Sequence, residues 1–493
     1  MKLEDENISN FTLSALVVAL GFLFINFVLT ANKFFPVHQD DYVFLGSSLA
    51  DASLSIERPV TMNLAFLAGD LGGVAPFVVV SFLTAMYPVL TIITLALLLR
   101  VRFSLSALAV FSFVSFAHTA SFENSKYLGA VGLWSLFFGT ASLIAIMAAW
   151  QTSRRALMVI AVVLYGLSVF AKEDYILPPL ILVLGLATPF FESRLPRWRL
   201  LALFSVMSAV ALASAAYSFA LHSRFSGLGS TATGGPYDVI IDAFSVLTTL
   251  RHLTVGLVPL ESAGAAAGLI LAWSLQPKWR PALILMLLIT ASLVAPYALI
   301  PHNLPAYRVF GWLPWLAGFI ATGVMSVALR LNRYNVGMLA ATAFAIVVAV
   351  GSMRYYGQER NILSEWYLTE EAKQEKMVNF VVSNRDRLES EKVVGITGLE
   401  YLSPWSNNDG KYLQRRLGLR NEWVVFVPGE SLFYQFGTEK TDSLINVRPA
   451  SDVCERAMTV VHFERDGTGS FATAAEECES LEPPLQPSLG TVH

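Results

Sequence analysis

His38-Gln39-Asp40-Asp41-Tyr42 sets two adjacent carboxylates just beyond the first long apolar run, Phe11–Ala31. A run of about 20 apolar residues is long enough to cross a bilayer as a helix. Two neighbouring carboxylates repel each other and are costly beside lipid, so a plain linker has no need of them there. A carboxylate at that place suits deprotonation of a hydroxyl at the membrane surface. Helix capping or loop solvation is the bland alternative.

Other polar residues fall at comparable boundaries. Lys172-Glu173-Asp174 directly follows an apolar run, where a lysine can meet a phosphate as a point charge or simply snorkel to the interface. Arg58-Pro59 opens the segment after the acid pair, and Arg308 closes Pro301-His302-Asn303-Leu304-Pro305-Ala306-Tyr307-Arg308. Arg58 and Arg308 each suit forked contacts to phosphate oxygens, or are simply interfacial charges. Glu123, with Asn124 and Lys126, is a candidate for hydrogen bonds to a sugar, with a plain solvated loop as the alternative, and His38, His302, Glu173 and Asp174 are further candidate substrate contacts. A divalent cation on Asp40, Asp41, His38 and His302 is a candidate too, although hard cations want more oxygens than the sequence places there. Beyond that candidate cation the sequence points to no certain cofactor.

These groups need a scaffold, and composition supplies it. Of 493 residues, 55% are hydrophobic and 14% charged, against a soluble average of roughly 45–50% apolar. The net charge of −3 and the lack of a basic tract exclude nucleic-acid binding as a reading. Further apolar runs cover Val74–Leu99, Leu105–Thr119, Tyr127–Trp150, Ala156–Ala171, Ile176–Phe191, Leu200–Leu221, Pro259–Leu275, Ala282–Ile300, Phe310–Leu329 and Val336–Met353. That makes about eleven spans, several near the lower limit of length. Asp238–Leu257 reads as a helix lying on the membrane.

The loops between runs alternate in charge. One set holds Arg100/Arg102, Arg154/Arg155, Arg194/Arg197/Arg199, Lys278/Arg280 and Arg330/Arg333. The other holds Asp40, Asp41, Asp51, Glu57, Asp70, Glu123, Glu173, Asp174 and Asp238. The positive-inside rule puts the first set in the cytoplasm and the acid-bearing set outside. An odd number of spans sends the C-terminal part outside as well. Glu4, Asp5 and Glu6 before the first run argue against a cleaved signal peptide.

Two domains are expected: a transmembrane catalytic domain over 1–354, and an outer α/β domain over 355–493 ending in a disordered tail. Lys392–Thr397, Trp423–Val427 and Met458–Phe463 read as strands, Glu370–Asn384 and Lys411–Leu417 as helices. Cys454 and Cys478 fall in this domain. An oxidising compartment would let them pair; two unpaired thiols is the alternative.

Phosphate-cradling and dinucleotide glycine turns, HExxH and Gly-x-Ser-x-Gly are absent. With the reactive groups outside, the substrate must arrive activated and bound to the membrane. A sugar on a polyprenyl phosphate meets that need. Two other classes stay open. One is an O-antigen polymerase or ligase using pyrophosphate-linked donors. The other is a polytopic lipid or sugar transporter, which predicts ionisable groups on broken helices near mid-membrane.

The acid pair Asp40-Asp41 in the first outer loop, the Lys172-Glu173 element after a middle span, the many spans and the outer C-terminal domain resemble the C-type glycosyltransferase superfamily. That superfamily includes protein O-mannosyltransferases and aminoarabinose transferases. The resemblance covers roughly residues 11 to 353; relatives often have Asp-Glu where this chain has Asp40-Asp41. It implies a polytopic α-helical fold in a bacterial inner membrane and inverting transfer from a polyprenyl-phosphate donor. The acceptor would be an envelope glycan, lipid or protein on the outer face. Asp40 would be the base, Asp41 its partner, and Lys172 a group near the donor phosphate.

Overall fold

The structure is a computed structural model. It describes residues 59–71, 75–126, 132–172, 175–192, 195–225, 242–299, 306–331, 343, 365–366, 368–398, 413, 421–427, 445–455 and 458–480. They fall into two compact units.

The first unit is helical. It holds the start of α1 (Pro59–Leu71) and then α2 (Ala75–Leu99), α3 (Leu105–Ala117), α4 (Thr119–Lys126), α5 (Gly132–Thr152), α6 (Arg155–Ala171), α7 (Leu177–Ala187), α8 (Arg197–Phe225), α9 (Ala243–Arg251), α10 (Pro259–Leu275), α11 (Arg280–Ala298) and α12 (Leu313–Leu331). Among the described residues five helices are long and apolar enough to cross a membrane, and seven spans result if each of two bent pairs counts as one. The protein is a multi-pass membrane protein. The expected runs Phe11–Ala31 and Val336–Met353 lie outside the described residues.

Apolar helices have no hydrophobic drive to associate inside lipid, so close backbone contact and local hydrogen bonds hold the bundle. Gly268 of α10 and Gly323 of α12 show this. A Cβ on Gly323 would sit 2.5 Å from Gly268 Cα, and one on Gly268 would sit 2.3 Å from the Phe319 carbonyl oxygen. Any side chain there would force the two helices apart. Buried hydroxyls return to their own helix: Thr84, Thr91, Thr94, Thr140 and Thr322 each donate to the carbonyl four residues back.

Both bent pairs differ from the sequence reading. The run Leu105–Thr119 stops at Ala117, and α4 turns away by 71°. His118 makes the corner. Its Nδ1 accepts from the Ala120 N–H at 3.0 Å, and its Nε2 lies 2.9 Å from the Leu257 carbonyl. The expected surface helix Asp238–Leu257 is α9 followed by a π-turn His252–Gly256, bent 90° against α10. Leu257 lies at that second corner, so His118 ties the two breaks together. The run Ile176–Phe191 forms only the 11-residue α7.

The second unit is α/β. Its sheet has the order β3-β2-β1-β4-β5, with β1 (Val393–Thr397), β2 (Glu422–Val427), β3 (Ile445–Pro449) and β4 (Thr459–Phe463) parallel and β5 (Gly469–Thr473) antiparallel to β4. Parallel strands need cover on both faces. The helix α13, over 368–383, puts Phe380 against Phe463 and Phe471. On the other face Val424, Phe426 and Val460 pack with Val453 and with Ala474 of α14 (Ala474–Ser480). Thr473 and Glu476 cap α14 reciprocally: Thr473 Oγ1 accepts from the Glu476 N–H, and Glu476 Oε2 accepts from the Thr473 N–H. Cys454 and Cys478 are joined in a disulfide with Cα atoms 5.1 Å apart. The expected helix Lys411–Leu417 lies outside the described residues apart from Leu413.

Candidate functional site

Contacts between helix termini sort the loops into two ends of the bundle. At one end the Arg100 guanidinium stacks over Trp150, 4.8 Å from the ring centroid, and donates to the Glu192 carbonyl at 3.1 Å. Trp150 meets Phe191 edge-on. Leu285, near the start of α11, fills the space beside Gly185, near the end of α7. The loops that carry Arg100, Glu192 and Arg280 therefore share one end, as the charge alternation requires.

The opposite end begins where α2 and α5 begin. There Ser81 donates to the Ser125 carbonyl at 3.0 Å. Lys172 follows the last residue of α6, where backbone carbonyls have no partner within the helix. Two neighbours supply hydroxyls. Thr61 Oγ1 donates to the Ala171 carbonyl at 2.8 Å, and Ser135 Oγ donates to the Lys172 carbonyl at 2.9 Å. Ser168 Oγ donates back to the Ser135 carbonyl at 2.8 Å. Thr61, Ser135 and Ser168 are fully buried. Just beyond, the Tyr175 ring lies against Gly139, where a Cβ would come within 2.1 Å of it, and the Thr140 and Tyr175 hydroxyls are hydrogen-bonded at 2.9 Å. Tyr165 donates to the Ile176 carbonyl at 3.0 Å. The backbone on both sides of Lys172 is thus pinned to three helices.

Glu123 and Arg308 belong to the same end. Glu123 is on α4, and the 3-10 turn Ala306–Gly311 that carries Arg308 packs against α4. Three other polar side chains of α4 are engaged locally: Ser121 donates to the Ser115 carbonyl, Asn124 to that of Ala120 and Ser125 to that of Phe122. Glu123 differs. Its Oε2 is buried and has no hydrogen-bond partner among the described residues. The Arg308 guanidinium lies 5.3 Å from the Tyr297 ring centroid, and Tyr297 leans on Trp312. Tyr87 anchors the turn by donating to the Gly311 carbonyl and by edge contact with Phe310.

Of the residues singled out from sequence, Lys172, Glu123 and Arg308 are described, and all three lie at the end opposite the basic loops. His38, Asp40, Asp41, Arg58, Glu173, Asp174 and His302 lie outside the described residues. Arg58 immediately precedes α1, whose Thr61 bonds the residue before Lys172. Among the described residues no group of three or more His, Cys, Asp or Glu side chains is arranged to hold a metal ion. Sequence reasoning missed Thr61, Ser135, Ser168 and His118. Their partners are 110, 37, 33 and 139 residues away, and a lone hydroxyl or imidazole in an apolar run carries no signal of so distant a contact.

No protein-family model matches the chain, and no curated protein matches it by sequence. A solved structure does. The crystal structure of ArnT from Cupriavidus metallidurans bound to undecaprenyl phosphate matches over 93% of this chain and 97% of that chain, with a TM-score of 0.52 and 13% identity. The chain shares the fold of ArnT. At that identity the likeness speaks to fold alone, and it spans the membrane part and the C-terminal part together.

Proposed function

We propose that the chain is an inverting glycosyltransferase of the C-type superfamily that takes a sugar from a polyprenyl-phosphate donor to an envelope glycan, lipid or protein acceptor on the outer face of the membrane. The observation that carries this reading is the ArnT fold over nearly the whole chain, seen there with undecaprenyl phosphate bound. The shared location of Lys172, Arg308 and Glu123 supports it. The end of the bundle that holds them is outer by the positive-inside rule.

In this reading Asp40 takes the proton from an acceptor hydroxyl, with Asp41 beside it. The acceptor oxygen attacks the anomeric carbon from the face opposite the phosphate. The bond from that carbon to the phosphate oxygen breaks, and its electron pair leaves with the polyprenyl phosphate. General-base assistance of this kind contributes roughly 10²–10⁴ in rate. Lys172, Arg58 and Arg308 hold the phosphate and stabilise the charge that grows on it. His38, His302, Glu123, Glu173 and Asp174 line the sugar and acceptor. The C-terminal α/β unit binds or orients the acceptor, since the acid pair and Lys172 belong to the membrane part.

Broken helices also fit a transporter, and Glu123 and Glu261 both lie on bent pairs. Asp40→Asn separates the readings, because it removes a base with little change of shape. In purified protein with a polyprenyl-phosphate sugar it should abolish transfer while donor binding stays near wild type. Near-normal turnover would sink the base assignment.

A further inference from the structure

Outside the candidate site, one groove combines an apolar wall with uncompensated charge. It has a volume of about 270 Å³ and lies between α10 and α11. Ile270, Trp273 and Ser274 line one wall, and Ile284 and Leu287 the other. Ile270, Trp273, Ile284 and Leu287 are exposed. The segment Pro277–Ala298, which carries Ile284 and Leu287, is long and apolar enough to span a bilayer.

The turn Pro277–Trp279 joins the two helices that wall the groove, with Lys278 within it and Arg280 directly after it. The Arg280 guanidinium stacks over Trp273, 5.4 Å from the ring centroid, and its Nε–H donates to the Trp273 carbonyl at 3.2 Å. That leaves the terminal N–H donors of the guanidinium for another acceptor. Lys278 is exposed two residues earlier. Neither has an acidic partner among the described residues. Basic pockets between membrane helices are suited to anionic headgroups. A protein partner would have to bring its own carboxylate into the headgroup layer and an apolar helix beside it. A single lipid supplies both parts.

We propose that this groove binds one anionic phospholipid of the leaflet that the basic loops face. An acyl chain lies along Ile270, Ile284 and Leu287, and the headgroup phosphate accepts from Arg280, Lys278 and the Ser274 hydroxyl. The proposal is independent of the glycosyl-transfer reading.

The test compares full-length protein by native mass spectrometry after detergent extraction, with palmitoyl-oleoyl phosphatidylglycerol and palmitoyl-oleoyl phosphatidylcholine as the lipids. Wild type should hold one phosphatidylglycerol at least about tenfold more tightly than phosphatidylcholine, since one charge-assisted contact is worth roughly that factor. Arg280→Ala should remove most of that preference. Arg199→Ala is the control, because Arg199 also stacks on a tryptophan, Trp198, at 5.3 Å but lies on α8, which does not line this groove; it should leave the preference intact. Leu287→Trp, which fills the groove, should reduce retention of both lipids. Equal effects of Arg280→Ala and Arg199→Ala, or no preference in wild type, would mean a general basic belt and overturn the site.

Discussion

The hydroxyl clamp behind Lys172 should be felt in donor binding as well as in stability. Thr61→Val and Ser135→Ala keep size and shape but remove the donors to the Ala171 and Lys172 carbonyls. Both carbonyls end a helix, so nothing within the helix replaces the lost partner. A buried polar group left unsatisfied costs about 1–3 kcal/mol. Ser135→Ala also deprives Ser168 Oγ of its neighbour at 3.3 Å. If half of a ~2 kcal/mol loss appears as displacement of Lys172 from the donor phosphate, donor affinity falls about fivefold per variant. The double variant should lose more than tenfold. Ser142→Ala is the matched control. Ser142 donates to the Ala161 carbonyl at 2.9 Å between the same two helices, seven residues further along α5. It should lower the thermal midpoint comparably and leave donor affinity alone. The assay is donor binding to purified protein in nanodiscs, with thermal unfolding in parallel. If the double variant binds donor within twofold of wild type while Ser142→Ala is equally destabilised, the clamp serves the fold only.

Glu123→Gln keeps the shape of a side chain whose buried oxygen has no partner among the described residues. Folding should be unharmed or slightly improved, while sugar transfer falls at least about tenfold if the carboxylate meets substrate; unchanged transfer would remove Glu123 from the site. The disulfide closes a loop with a sequence separation of 24, for which chain entropy gives about 3 kcal/mol. Cys454→Ser/Cys478→Ser should therefore unfold the C-terminal unit at lower denaturant, and an unchanged midpoint would show that the bond contributes little.

Hydropathy located the spans well where a helix is straight and apolar throughout. Val74–Leu99 emerges as Ala75–Leu99, and Ala282–Ile300 as Arg280–Ala298. It failed at corners. Nothing within Leu105–Thr119 signals a 71° turn, because the turn rests on an imidazole whose partner is Leu257. Glu123 therefore looked like a loop residue, although it lies on a helix. In the C-terminal unit the three central strands were legible as apolar runs. The edge strands β3 and β5 were not: β5 reads Gly-Ser-Phe-Ala-Thr and buries none of its residues fully, and β3 ends in Arg448-Pro449. Edge strands bury less and carry weaker patterns. The disulfide was open in sequence, because pairing depends on Cα geometry that spacing does not fix.

The central claim is tested most directly by product analysis. Purified protein in proteoliposomes is given a polyprenyl-phosphate sugar of defined anomeric configuration together with an envelope-lipid acceptor fraction, and the released lipid and the new glycosidic bond are examined by mass spectrometry and NMR. The account predicts release of polyprenyl monophosphate and a glycosidic bond of inverted configuration. Retained configuration, or transfer only from pyrophosphate-linked donors, would contradict it.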